Sequence, residues 1–207
     1  GIGELSDAAS ALDYLQALNP NAKATWVAGF SFGAWIGMQL LMRRPEIGGF
    51  VSVAPPANMY DFSFLAPCPS SGLIVNGEAD RVAPAGDVKK LVDKLKAQRG
   101  IVIDHEVMPG AGHFFENSLE SMTGHVTDYV ARRMAEAGVL GRFIPDFGRV
   151  VGQTQHDMYH VFTVDEHTLF ALGLLHRIER GELVDDHPLA SDVIAKVSSR
   201  RALYAAM

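Results

Sequence analysis

The stretch Thr25-Trp26-Val27-Ala28-Gly29-Phe30-Ser31-Phe32-Gly33-Ala34-Trp35-Ile36-Gly37 decides the fold. Its first six residues are a short apolar, partly β-branched run, the mark of a buried strand. From Gly33 to Met42 the spacing turns helical, and it stops before Pro45. Between them lies Gly29-Phe30-Ser31-Phe32-Gly33, a G-x-S-x-G motif at a strand-to-helix turn. A turn this tight strains its serine, and flanking glycines let the strand and helix backbones approach closely. The serine hydroxyl then projects past the strand end, where the amide of Phe32 at the helix N-terminus can donate to a developing oxyanion. The bland alternative is a glycine-rich turn with an idle serine.

Working outward, Leu5, Ala8, Ala9, Leu12, Leu15 and Leu18 recur at helical spacing, and Asn19-Pro20-Asn21 ends that helix. On the other side, Gly49–Ala54, Gly72–Val75 and Ile101–Val107 read as strands. Val88, Leu91, Val92 and Leu95 form the apolar stripe of a helix, and Phe114–Ala135 predicts a closing one. Strands alternating with helices predict an α/β fold, a parallel sheet of about four strands in sequential order with helices on both faces. After Ala137 the period changes. Gly138-Val139-Leu140-Gly141 and Pro145 break the pattern, and only helical spacing follows, near Val164–Glu179 and Pro188–Ala206. Two parts are therefore expected, an α/β domain over 1–137 and an all-α appendage over 138–207.

Composition narrows the function classes. The 207 residues are 48% hydrophobic and 20% charged, the balance of a globular chain. Eighteen Lys and Arg against 24 Asp and Glu give a net charge of −6, which argues against a nucleic-acid partner. Cys68 is the single cysteine, so no internal disulfide can form. No apolar run reaches the ~18 residues of a membrane span, and no leader pattern opens the chain. The expectation is a cytoplasmic protein with no membrane partner. The first residue is Gly, which reads as a processed or truncated start.

Two more residues complete a chemical order. Asp80 closes Asn76-Gly77-Glu78-Ala79-Asp80 just after a strand, and His113 lies in Pro109-Gly110-Ala111-Gly112-His113-Phe114 after the next one. Serine, then acid, then histidine, each at a strand's C-terminal end, is the α/β-hydrolase order. In that reading Ser31 attacks, His113 takes and returns the proton, and Asp80 holds the histidine tautomer. Glu78 is the runner-up acid; Asp104 and His105 lie within a strand, a poorer position from which to reach the serine. Taken singly, an Asp or His is more often a cap or a surface group. Phe30, Phe32, Trp35, Phe114 and Phe115 flank the expected site and suggest a small apolar acyl pocket, although aromatics beside a strand end are more often core.

Residues 1–136 resemble the C-terminal two-thirds of a small, lid-poor bacterial α/β-hydrolase, through GELSDAASALDYL (3–15), WVAGFSFGAWIG (26–37), VNGEADRVAP (75–84) and MPGAGHFF (108–115). The resemblance implies hydrolysis of a small acyl ester, thioester or amide through an acyl-enzyme, with the triad Ser31, Asp80 and His113 and no cofactor. Such enzymes carry about four strands before the nucleophile strand, where this chain has one helix. The loop that supplies a second oxyanion donor is missing with them, a loss typically of order 10²–10³ in turnover. The truncation also predicts an exposed edge at Thr25–Phe30, self-association through it, and marginal stability. A non-catalytic fragment or interaction module with an inert triad is the rival reading.

Residues 138–207 resemble a different family, the segment of the bifunctional PII uridylyltransferase/uridylyl-removing enzymes that enters their HD phosphohydrolase domain. The resemblance implies that His167, in Thr163-Val164-Asp165-Glu166-His167, matches that domain's first metal ligand. The remaining ligands do not follow before Met207, and one histidine cannot hold a catalytic metal, so a metal-dependent phosphohydrolase activity is the weakest reading. His156 and His160 stand at i and i+4, but no Glu lies between them in the H-E-x-x-H arrangement. No complete metal site is therefore expected. Two resemblances in one chain, meeting near Arg132-Arg133-Met134-Ala135-Glu136-Ala137, suggest a chimera of two partial genes.

Overall fold

The computed structural model describes residues 2–136, 164–194 and 196–197. It falls into two compact units, Gly1–Val126 and Thr127–Met207. The first unit runs α1 (Ile2–Leu18), β1 (Thr25–Phe30), α2 (Phe32–Arg43), β2 (Ile47–Val53), β3 (Gly72–Gly77), α3 (Ala85–Lys96) and β4 (Ile103–Met108), with a single 3₁₀ turn at Ser63–Leu65. A further helix, α4 (Leu119–Glu136), spans the division.

The four strands are all parallel and lie in the order β1-β2-β3-β4, as the alternation of strand and helix patterns predicts. β3 is buried at all six positions, which is why Gly72-Leu73-Ile74-Val75 reads as a continuous apolar run. β1 and β4, at the two edges, are only partly covered. Phe50, Leu73, Ile74, Val75, Val88, Val92 and Leu95 make the centre of the core. Each such side chain contributes about 1.5–3 kcal/mol relative to an exposed one. The α3 stripe Val88, Leu91, Val92 and Leu95 is buried as its spacing requires, and ion pairs Lys89–Asp93 and Lys90–Asp87 lie on its exposed face. Beside β1 and β2, α1 packs on α2, and Arg44 joins Asp13 of α1 to Glu46.

Element ends differ from the sequence reading at glycines and turns. β2 begins at Ile47 rather than Gly49, because Gly49 is a packing gap and not a turn: a Cβ there would stand 3.1 Å from the Trp26 ring. α4 begins at Leu119 rather than Phe114. Phe115 adopts φ 55, which breaks any helix, and turn hydrogen bonds run from Phe115 N–H to Gly112 O and from Ser118 N–H to Phe115 O.

Among the described residues the second unit beyond α4 is helical, with α5 (Val164–Glu179) and α6 (Pro188–Ile194). α5 ends in a Schellman motif. Gly181 takes φ 76, its N–H bonds Ile178 O at 3.0 Å, and Glu182 N–H bonds Arg177 O at 3.0 Å. Pro188 opens α6 at the position where its missing N–H costs nothing. Ile178, Leu183 and Ile194 pack together beside Leu174 and Leu175.

Candidate active site

Ser31 occupies the turn between β1 and α2 with φ 52 and ψ −121. A non-glycine residue with positive φ is strained, and the turn holds it there in two ways. Ser31 N–H donates to Val53 O at 2.8 Å, and Ala34 N–H donates back to Ser31 O at 2.9 Å. Gly29 makes the turn feasible: a Cβ at that position would meet Gly33 O at 2.3 Å. Gly33 plays a different part from the one its motif position suggests. A Cβ on Gly33 would enter open space, so only its backbone takes part in the close approach.

The serine side chain makes no helix-capping hydrogen bond, which removes the commonest bland role for a serine before a helix. Its Oγ instead lies 2.9 Å from His113 Nε2. His113 Nδ1 lies 2.8 Å from Asp80 Oδ2. Asp80 Oδ1 accepts from Val82 N–H at 2.7 Å and Ala83 N–H at 2.9 Å. The Asp80 side chain is fully buried and that of His113 is 8% exposed. As a carboxylate, Asp80 can only accept, so His113 Nδ1–H donates to it and Nε2 is left to accept from the serine hydroxyl. The amide of Phe32 is the first of α2, one of the group a helix leaves without an intrahelical acceptor.

All three residues singled out by their order thus converge. They come from the ends of β1, β3 and β4. A close-packed loop crossing supports the last two: Ala79 N–H bonds Ala111 O at 3.0 Å, and Gly77 leaves room for Ala111 O, which a Cβ would approach to 2.3 Å. Glu78, the alternative acid, does not join them. It is exposed, and its Oε2 accepts from Gly110 N–H at 2.9 Å, fixing the histidine loop from outside. His105 on β4 lies 2.7 Å, through Nε2, from Oδ1 of the fully buried Asn76, and burial pushes its pKa below the ordinary histidine value.

The five flanking aromatics separate into groups that spacing alone does not distinguish. Phe30 and Phe114 lie against the His113 ring, with centroids at 5.0 and 5.1 Å. Phe32 and Trp35 cluster with Tyr60, whose ring stacks on Trp35 at 4.7 Å. Phe115 is a correction: it is 1% exposed and belongs to the core rather than to a pocket. Tyr60 comes from the segment after β2, a stretch with no motif to mark it. Trp35 Nε1–H bonds Asp61 O at 2.9 Å and ties that segment to α2. Beyond Tyr60 a groove of about 570 Å³ opens, lined in part by Phe62, Leu65, Lys90, Leu91 and Lys94.

A family model described as the dienelactone hydrolase family matches residues 4–145. The chain belongs to the dienelactone hydrolase family. An uncharacterized protein of Rickettsia prowazekii is 51% identical over 134 residues, covering 63% of this chain and 56% of its own length. A solved putative α/β-hydrolase of unknown function from Agrobacterium tumefaciens is 66% identical with a TM-score of 0.63, covering 65% of this chain and 62% of that one. A solved lidless α/β serine hydrolase from Xanthomonas campestris is 30% identical with a TM-score of 0.55, covering 63% and 56%. The chain therefore spans a little over half the length of these family relatives. A segment also matches the bifunctional uridylyltransferase/uridylyl-removing enzyme of Azospirillum brasilense, 65% identical over 100 residues, 48% of this chain and 10% of that enzyme. Both resemblances read from the sequence are thereby shown.

Of the histidines in that second part, His156 and His160 lie outside the described residues, as does the side chain of His167. Among the described residues no group of three or more His, Cys, Asp or Glu side chains is arranged to hold a metal ion. No described helix is long and apolar enough to cross a membrane.

Proposed function

We propose that this member of the dienelactone hydrolase family is a serine hydrolase that cleaves a small acyl ester, thioester or amide through an acyl-enzyme, with Ser31 as nucleophile, His113 as base and acid, and Asp80 as the positioning carboxylate. The observation that carries the reading is the continuous hydrogen-bonded relay Asp80–His113–Ser31, ending on a serine held at positive φ. In the first step Ser31 Oγ adds to the acyl carbon while its proton passes to His113 Nε2. Asp80 stabilises the resulting imidazolium, and the Phe32 amide donates to the oxyanion. Collapse breaks the bond to the leaving group, which takes the proton from Nε2. Water then adds to the acyl carbon with His113 as base, and Ser31 is released with its proton restored. No cofactor enters this sequence.

An alkyl fluorophosphonate probe tests the reading directly, because covalent labelling requires an activated serine. The expected result is stoichiometric labelling lost in Ser31→Ala and His113→Ala. A folded chain that stays unlabelled at neutral pH would favour the rival, a non-catalytic fragment or interaction module. For the second part, whose relative carries the match over only a tenth of its length, we assign no reaction. Two separate family likenesses in one chain favour the fusion reading, and sequencing source DNA across the codons for 120–150 tests it: one locus carrying both parts would refute an assembly artefact.

A further inference from the structure

We infer that Phe30 and Phe114 form a leaving-group platform, so that the substrate is an ester whose departing alcohol is aromatic or bulky and apolar. The inference rests on the hydrolase reading and adds to it the side of the substrate that is selected.

The argument begins with the proton. Whatever leaves the tetrahedral intermediate takes a proton from His113 Nε2, so its leaving oxygen must come within hydrogen-bond reach of that nitrogen, roughly 3 Å. The carbons attached to that oxygen then lie beside the imidazole. Two phenyl rings already stand there. The Phe30 and Phe114 centroids are 5.0 and 5.1 Å from the His113 centroid and 6.0 Å from each other, closing a triangle of three rings. Phe114 is 65% exposed, whereas the adjacent Phe115 is 1% exposed and fills the core. The histidine loop thus presents apolar ring surface beside the imidazole that every leaving group must approach. A second aromatic group stands apart from these rings: Phe32, next in sequence to the nucleophile, packs with Trp35 and Tyr60, and Tyr60 lines the groove that holds Lys90 and Lys94.

The two halves can be varied independently. Because Phe114 is largely exposed, Phe114→Ala leaves the fold in place, and Phe114→Leu restores apolar surface without an aromatic face. The measurement is kcat/KM for one acyl group carried on naphthyl, phenyl, cyclohexyl and methyl alcohols, alongside the rate of Ser31 labelling by an alkyl fluorophosphonate. The expected result for Phe114→Ala is a loss of about fivefold on aryl esters, the size of one aromatic pair. The methyl ester should lose less than the aryl ones, and Phe114→Leu should recover the cyclohexyl ester but not the aryl ones. Equal losses across all four alcohols, with labelling intact, would overturn the platform alone. A parent chain that neither labels nor hydrolyses would overturn the hydrolase reading and the platform with it.

Discussion

Replacing Asp80 by Asn tests the relay at its least visible point. Asp80 Oδ1 accepts from the amides of Val82 and Ala83, and only an oxygen can fill that position. In Asp80→Asn the side-chain oxygen stays with those two amides, which turns the NH₂ group toward His113 Nδ1. That nitrogen must now accept, so the ring proton moves to Nε2. Nε2–H then points at Ser31 Oγ and cannot take its proton. The substitution is nearly isosteric and keeps every backbone hydrogen bond, so stability should fall by only about 1 kcal/mol. Turnover should fall by about 10⁴, the size of the tautomer effect in serine proteases, or about 5.5 kcal/mol in the barrier. The assay is the rate of fluorophosphonate labelling of Ser31, together with acyl-ester turnover and a denaturant melt on the same preparation. Asp80→Ala is the contrast: it strands two amides and should cost about 1–3 kcal/mol for each one left buried and unpaired. An Asp80→Asn protein labelled within tenfold of the parent rate would refute the assignment of Asp80 as the positioning carboxylate.

Glu78→Gln should leave turnover within about threefold, because an amide oxygen can still accept from Gly110 N–H; a loss as large as that of Asp80→Asn would exchange the two acids. Gly29→Ala should unfold the turn or abolish labelling, since its Cβ would meet backbone atoms of Gly33 and Ala34 at 2.3–2.7 Å and nothing flexible lies there to yield. A cost of at least about 1–3 kcal/mol in a urea melt is expected. Burial lowers the pKa of His105, helped by Lys96 and Lys89 and opposed by Asp93, while Asn76 faces its ring. A histidine with a depressed folded pKa contributes stability that is present above its ordinary value near ~6.5 and lost as pH falls through the folded one. His105→Gln should therefore flatten the acid limb of the stability profile, measured by urea melts across that range.

The sheet was legible because its strands announce themselves by burial. Thr25–Phe30 keeps its sequence-read bounds, and Ser31, Asp80 and His113 stand out because each follows such a run. What escaped the sequence depends on distances that no spacing encodes. Gly49 looks like a turn residue until the Trp26 ring is seen beside it. Phe114 and Phe115 are neighbours of equal hydrophobicity, and only the left-handed backbone at Phe115 sends one to solvent and the other into the core. Tyr60 is brought to Trp35 by a long-range stack, so nothing local marks it. The helix read over Pro188–Ala206 stops at Ile194, with Lys196 already in a turn, and the residues after Val197 lie outside the described ones.

The order β1-β2-β3-β4 has a mechanical consequence. Ser31 hangs from one margin of the sheet, while His113 follows the strand at the opposite margin. Three strand spacings of about 4.8 Å, some 14 Å in all, thus separate the strands whose loops meet in this 2.9 Å hydrogen bond. A lateral slip of about 1 Å in any of the three ladders accumulates at that contact, and a misplacement of this size typically costs about 10²-fold in rate. The relay therefore behaves as a strain gauge laid across the whole ribbon. Under rising urea or temperature, labelling of Ser31 should fade before the helical circular-dichroism signal does, registering shear in the ladders while the helices remain intact.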